Sequence, residues 1–241
     1  MEIRGERECT ACGTRWSYYE TGEVACPDCG SLRSVGHEER KLHTDGPAEL
    51  DLAPLIEGID ERPLSEVASE VAERCRSYRR KRGFVDGGEL RDLDDTYLIA
   101  SELGTAIGSY ERSLSSGALE TETDDAEQLY LLALLGGERP PPAEVPDSLV
   151  SARALAYAKA VSTYREDLLA FLDAREEASP TVRRALGRLD DHVRRVEALD
   201  GSVETRTPER LVEAARDLGS AVRDDDELAL ARARERLDAL G

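Results

Sequence analysis

Residues 150–171 read VSARALAYAKAVSTYREDLLAF, and within them Val150, Ala154, Tyr157, Val161, Tyr164, Leu168 and Phe171 step alternately by four and three. At 3.6 residues per turn those positions share one side of an α-helix, so the stretch predicts a long helix packed by one apolar stripe. The same stepping extends in both directions. Toward the C-terminus, Val182, Leu186, Leu189, Val193 and Val196 follow Pro180. Thr207-Pro208 supplies an N-cap and a first-turn proline before Leu211, Ala214, Leu218 and Val222, and a last helix carries Leu230, Ala233, Leu237 and Leu240 on one side.

Toward the N-terminus, Leu93, Tyr97, Ala100, Leu103, Ile107, Tyr110 and Leu114 trace a helix ending at Gly117. Leu64, Val67, Val71, Cys75 and Tyr78 trace another from near Pro63 to Gly83, and a shorter one runs from about Asp124 to Leu135. Gly136-Gly137 and Pro140-Pro141-Pro142 then mark a candidate sub-boundary near 137–146. The expected fold is mainly α, an all-α helical bundle over 46–241 preceded by a small β unit over 1–45. The stripes are narrow, so the helices pack on one another, the simpler reading, or pair with a second copy of the chain as a homodimer.

Composition agrees. Of 241 residues, 40% are hydrophobic but only 5% aromatic, so the core is built from aliphatic side chains, which favours helices over a sandwich. Net charge is −19, and 29 of the 32 cationic residues are arginine. Such an acid excess suits a salt-adapted, halophilic setting, where screening suppresses self-repulsion. Neither the first 45 residues, at −3, nor the remainder, at −16, shows the basic stripe that phosphate backbones require. No apolar run has the length of a membrane span and the N-terminus lacks a signal-peptide core, so the expected compartment is the cytoplasm, with no membrane partner.

The strongest motif is Cys9-Thr10-Ala11-Cys12-Gly13 followed by Cys26-Pro27-Asp28-Cys29-Gly30. A two-residue gap lets both thiolates of a tight turn face one ion, and two such knuckles complete a tetrahedral shell. Gly13 and Gly30 follow the knuckles where positive φ is common. Cys9, Cys12, Cys26 and Cys29 are therefore expected to hold one metal ion per chain, Zn2+, in a closed structural site. A segment of this size cannot stabilise itself by burial, so the metal would contribute roughly 10 kcal/mol or more to folding. Iron uses the same ligand set and remains the lesser alternative; a disulfide pairing is the other, opposed by a reducing compartment. Arg15–Tyr19 reads as a strand, Glu20-Thr21-Gly22 as a turn and Glu23–Ala25 as the returning strand.

Tyr19-Glu20-Thr21-Gly22-Glu23-Val24-Ala25-Cys26-Pro27-Asp28-Cys29-Gly30 resembles the second half of the zinc ribbon of transcription factor IIB and its archaeal counterpart. The whole chain resembles haloarchaeal proteins in which this ribbon precedes helices. The cysteine pairs followed by glycine also resemble the rubredoxin-like module of rubrerythrins. Those proteins carry Glu three residues before His, whereas Ser34, Arg40 and Leu189 stand three before His37, His43 and His192. The first resemblance implies a ribbon fold, zinc and contact with RNA polymerase, but no cyclin-like repeat follows.

No phosphate-binding loop, nucleophile elbow, dinucleotide fingerprint or zinc-protease helix is found, so no catalytic or cofactor-binding residue is assigned. Cys75 lies on an apolar stripe as an inert thiol, the histidines are expected in loops or solvated, and Gly104 and Gly108 suggest close helix packing. Arg79-Arg80-Lys81-Arg82 caps a helix C-terminus or meets an acidic partner or nucleic acid. Trp16 and Tyr18 cover the ribbon core or offer an aromatic docking site. The expected function is a zinc-binding, non-enzymatic protein-interaction or regulatory protein. The alternative is a transcription-associated factor that touches polymerase or nucleic acid through the ribbon.

Overall fold

The computed structural model describes residues 1–58, 62, 64–116, 121–175 and 179–240. The expected helix boundaries at Pro63 and Gly117 and the side chain of Leu114 lie outside the described residues. The N-terminal unit contains β1 (Glu2–Ile3), β2 (Glu6–Cys9), β3 (Arg15–Ser17), α1 (Tyr18–Thr21), β4 (Ser34–Gly36) and β5 (Lys41–Leu42). The helical part contains α2 (Ala53–Glu57), α3 (Leu64–Lys81), the hairpin β6 (Val85–Asp86) and β7 (Glu89–Leu90), α4 (Asp95–Ser116) and α5 (Thr121–Leu135). Two short 3-10 turns then lead into α6 (Val150–Ala174), α7 (Pro180–Ala198), α8 (Thr207–Arg223) and α9 (Glu227–Asp238).

The mainly α architecture follows the sequence periodicities. The helix over 150–171 is α6, and it sits at the centre, packed against α4, α7 and α8. Its predicted stripe is buried from Ala154 to Phe171, with Val150 partly buried, but Ala152, Ala156, Ala158 and Ala160 are buried too. The expectation of one narrow stripe therefore fails here: alanines let neighbouring helices approach on several sides, so a helix with modest side chains is enclosed on most of its circumference. One continuous apolar core runs from Leu52 to Leu237, with residues on both sides of the Pro140-Pro141-Pro142 run.

Helix ends show local causes. Asp226 caps α9 by accepting the N–H groups of Leu228 at 2.9 Å and Ala229 at 3.0 Å. Gly104 lets α3 and α4 approach, since a Cβ there would stand 3.2 Å from Cys75 Cβ. A Cβ on Gly108 would meet no atom of the described residues within 4 Å. At Gly87-Gly88, with φ of 56° and 88°, the chain makes the two-residue turn that joins β6 to β7.

The segment His37–Pro47, expected as a polar connection, contains β5 and two buried polar residues, His43 and Asp45. It binds the start of the hairpin closely. Thr44 and Asp45 donate their N–H groups to Val85 O, Gly46 donates to Lys81 O, and the Asp45 carboxylate accepts the Gly83 N–H at 3.2 Å and Arg91 Nε at 3.1 Å. A Cβ on Gly83 would collide with the Thr44 carbonyl at 2.4 Å. Arg82 pairs with Asp45 and lies 3.4 Å from Asp94, so this end of the basic run is a structural clasp.

At the α6–α8 contact, Tyr164 is fully buried and its hydroxyl has no hydrogen-bond partner among the described residues. A Cβ on Gly219 would meet that hydroxyl at 1.9 Å and the ring carbon behind it at 3.0 Å. Gly219→Ala is expected to cost about 1–3 kcal/mol, read as a lower Tm in thermal unfolding. Tyr164→Phe, which removes an unpaired buried hydroxyl, is expected to be neutral or stabilising and to recover most of the loss in the double variant.

Candidate metal centre

The four cysteines converge. Their sulfurs all lie within 4.8 Å of one another, and the Cys9–Cys29 and Cys12–Cys26 separations are both 3.6 Å. Four ligands at about 2.3 Å around a tetrahedral ion would stand about 3.8 Å apart, so the cluster has the right size to bind a metal ion. The two knuckles repeat one geometry. Cys9 N–H donates to Thr14 O and Gly13 N–H to Cys9 O, while Cys26 N–H donates to Ser31 O and Gly30 N–H to Cys26 O, each at 2.9 Å. Gly13 and Gly30 take φ of 79° and 70°, as expected from their position after each pair.

The thiols are electrostatically incompatible as four free anions. Hydrogen bonding from Thr14 pulls Cys12 down to about 6, and the backbone N–H groups of Cys12 and Ala11 lower Cys9. Cys29 gains a favourable N–H from Ser31, yet its neighbouring thiols push it up to about 12. A divalent cation removes this conflict by balancing the thiolate charge. All four predicted ligands are thus brought together, Cys9 and Cys26 buried and Cys12 and Cys29 exposed.

The expected hairpin around the turn at 20–22 is replaced by a different sheet. β2 is the central strand, with β3 antiparallel on one side, Arg7 opposite Trp16, and β4 antiparallel on the other, Glu8 opposite Val35. After β3 the chain turns helical instead of continuing to Tyr19. Tyr18 N–H donates to Gly5 O, Gly22 N–H donates back to Tyr18 O, and Gly22 closes the turn at φ 67°. Glu23–Ala25 forms no strand. Trp16 covers the ribbon core as the sequence suggested, buried with Cys9 and Cys26 while its indole N–H donates to Glu23 O at 3.0 Å. Tyr18, in α1, does not share its face.

Tyr19 fastens the ribbon to the helical part. A Cβ on Gly5 would stand 2.1 Å from its ring and one on Gly87 3.0 Å, so the ring is held between two glycines. Its centroid lies 4.8 Å from that of His43, whose Nδ1 accepts the Gly87 N–H at 3.2 Å. His43 is consequently neither solvated nor a metal ligand. Burial lowers its pKa, partly countered by Asp86 and Asp45. His37 stands beside Glu8, at 3.2 Å, and His192 lies on α7. Cys75 is fully buried, and burial pushes its thiol up to about 11, the state of an inert packing residue.

Periodicity gave no warning of a buried ionic cluster. Glu102 on α4 is 0% exposed and Arg153 on α6 is 3% exposed. Tyr157 Oη donates to Glu102 Oε2 at 2.6 Å and Tyr130 Oη binds Glu102 Oε1. Arg153 Nη1 reaches Tyr130 Oη and Pro140 O, each at 2.9 Å, and its Nε donates to Glu209 Oε1 at 3.1 Å. Arg139 completes the chain at 3.0 Å from Glu209. Because every charge is compensated inside the core, the cluster joins α4, α5, α6 and α8.

A family model described as a family of unknown function (DUF7117) matches residues 1–237. No solved structure matches the chain.

Two outcomes are expected from these geometries. Co2+ added to chelator-treated protein should produce the charge-transfer and d–d absorption of a tetrahedral thiolate site, and Cys26→Ser should abolish it; octahedral spectra or no binding would remove the site. Arg153→Met should cost about 3–5 kcal/mol by leaving Glu102 unpaired, read as a fall in Tm on the order of 10 °C, with the Glu102→Gln, Arg153→Met double variant losing less than the sum.

Proposed function

The chain belongs to this family of unknown function over nearly its whole length, and on that premise we propose that it is a zinc-stabilised, non-enzymatic protein-interaction or regulatory protein whose ribbon docks on another protein. The observation that carries the reading is the convergence of Cys9, Cys12, Cys26 and Cys29 at tetrahedral spacing. Four sulfurs complete a zinc shell and leave no coordination position for water or substrate, so the ion's role is to hold the ribbon.

The ribbon's surface supports docking. Leu32 is 75% exposed, and Val24 and Val35 are also exposed, on a unit whose own small core is already filled by Trp16 and the two inner cysteines. Exposed apolar side chains beside Arg15 and Arg33 resemble the mixed composition of protein interfaces. In the helical part, the buried ion pair of Glu102 and Arg153 is consumed by its own contact and by tyrosine hydroxyls. That is the arrangement of a structural cluster and gives a substrate no group to meet. No helix among the described residues is long and apolar enough to cross a membrane. The likeness of residues 19–30 to the transcription factor IIB ribbon gives a second candidate, in which the docked partner is RNA polymerase.

The test is metal content by mass spectrometry of protein purified in high salt, beside affinity capture from native lysate with Cys26→Ser and Leu32→Asp. One zinc per chain in the wild type and in Leu32→Asp, with the same partner lost in both variants, is expected. A metal-free protein would overturn the zinc assignment, and a partner retained by Leu32→Asp would move docking off this surface. Recovery of polymerase subunits would select the second candidate.

A further inference from the structure

The C-terminal half of α7, the start of α8 and the end of α9 enclose a cavity of about 310 Å3, at the lower end of the range of ligand pockets. Val196, Val203 and Leu240 give it apolar lining, and His192, Arg195, Thr207 and Arg210 line it with polar groups. Glu204 is the one acid among its lining residues.

Arg195 and Arg210 belong with Arg184, Arg206 and Arg234, which show no carboxylate partner among the described residues, and not with their paired neighbours. Arg188 and Arg194 on α7, Arg216 on α8 and Arg232 and Arg236 on α9 are each paired with a carboxylate. Arg195 and Arg210 have no carboxylate partner among the described residues, and the hydrogen bond formed by Arg210 is a long one, 3.5 Å to Ala239 O. A guanidinium carries five N–H donors, so most of theirs remain available at the cavity. The surrounding segment is also less acidic than the rest of the chain taken together. Residues 180–240 hold twelve arginines against fourteen acids, whereas residues 1–179 carry a net charge of −17.

We propose that this pocket binds a small organic anion, a carboxylate or phosphate ester, whose oxygens are held by Arg195 and Arg210 while its apolar body contacts Val196 and Leu240. The planar guanidinium matches either oxyanion. Thr207 offers a hydroxyl at the N-terminus of α8, where the helix dipole is favourable to an anion. His192, with Arg188, Arg195 and Asp191 around it, is held below its ordinary pKa chiefly by burial and then by Arg188. A bound anion would stabilise its imidazolium.

The experiment is a titration of the full chain with inorganic phosphate at several potassium chloride concentrations, followed by the NMR signals of His192. Saturable shifts with a raised His192 pKa are expected. Arg195→Gln and Arg210→Gln should each weaken binding by about tenfold or more, while Arg234→Gln, outside the pocket, should leave it unchanged. Three results would overturn the site: no saturation, equal weakening by Arg234→Gln, which indicates diffuse charge attraction, or a lower Tm in the two pocket variants with binding unaltered. The last would assign both arginines to helix-end carbonyls alone.

Discussion

The Asp167 carboxylate is where three parts of the molecule meet. On the central helix α6, its Oδ2 accepts the Thr44 hydroxyl and the Phe84 N–H, both at 2.7 Å. One oxygen thus joins the strand leaving the ribbon, the residue entering the hairpin and the helix on which the bundle is built. Phe84 is fully buried beside Tyr97 and Tyr164, so placing its N–H also places an aromatic group at the centre of the core. Asp45 continues the arrangement one residue later by holding Gly83 and Arg82. The ribbon's pose on the helices therefore follows from polar contacts of a few short segments more than from apolar area.

The same chemistry recurs deeper inside. A chain with a large acid excess places much of its arginine where it cancels carboxylates between helices, as at Arg216 and Asp95 or Arg165 and Asp190. Exposed pairs of this kind contribute little each. Arg153 is different, because its partner Glu102 is fully buried and hydrogen-bonded to two tyrosines, and mismatched helix placement would leave a charge stranded in a low-dielectric core. Its value is in selecting one arrangement of four helices among those that apolar stripes alone would permit.

How much of this was legible in the sequence depended on how local the cause was. The metal ligands and the glycines after them are determined within five residues, and each helix face within a turn, so both could be read directly. The sheet could not. β3 pairs with β2, and β2 in turn with residues 34–36, an arrangement that brings the knuckles together at the sulfurs, so the nearer strand suggested at 23–25 is the wrong partner for β3. Glu102, Arg153, His43 and Asp45 were passed over because a polar residue inside a helix pattern or loop ordinarily faces water. Only the assembled neighbours show that these do not. The Gly87-Gly88 pair was a usable signal for the hairpin.

β1 pairs with β5, Glu2 opposite Leu42, so the chain enters and leaves the ribbon side by side. The four-cysteine unit is thus a closed excursion from a two-stranded base, and the path through the helices does not pass through it. Such a connection isolates failure. The base, the hairpin and the helical core keep hydrogen bonds of their own that do not run through the cysteine knuckles, so order at the two ends of the chain rests on separate sets of contacts.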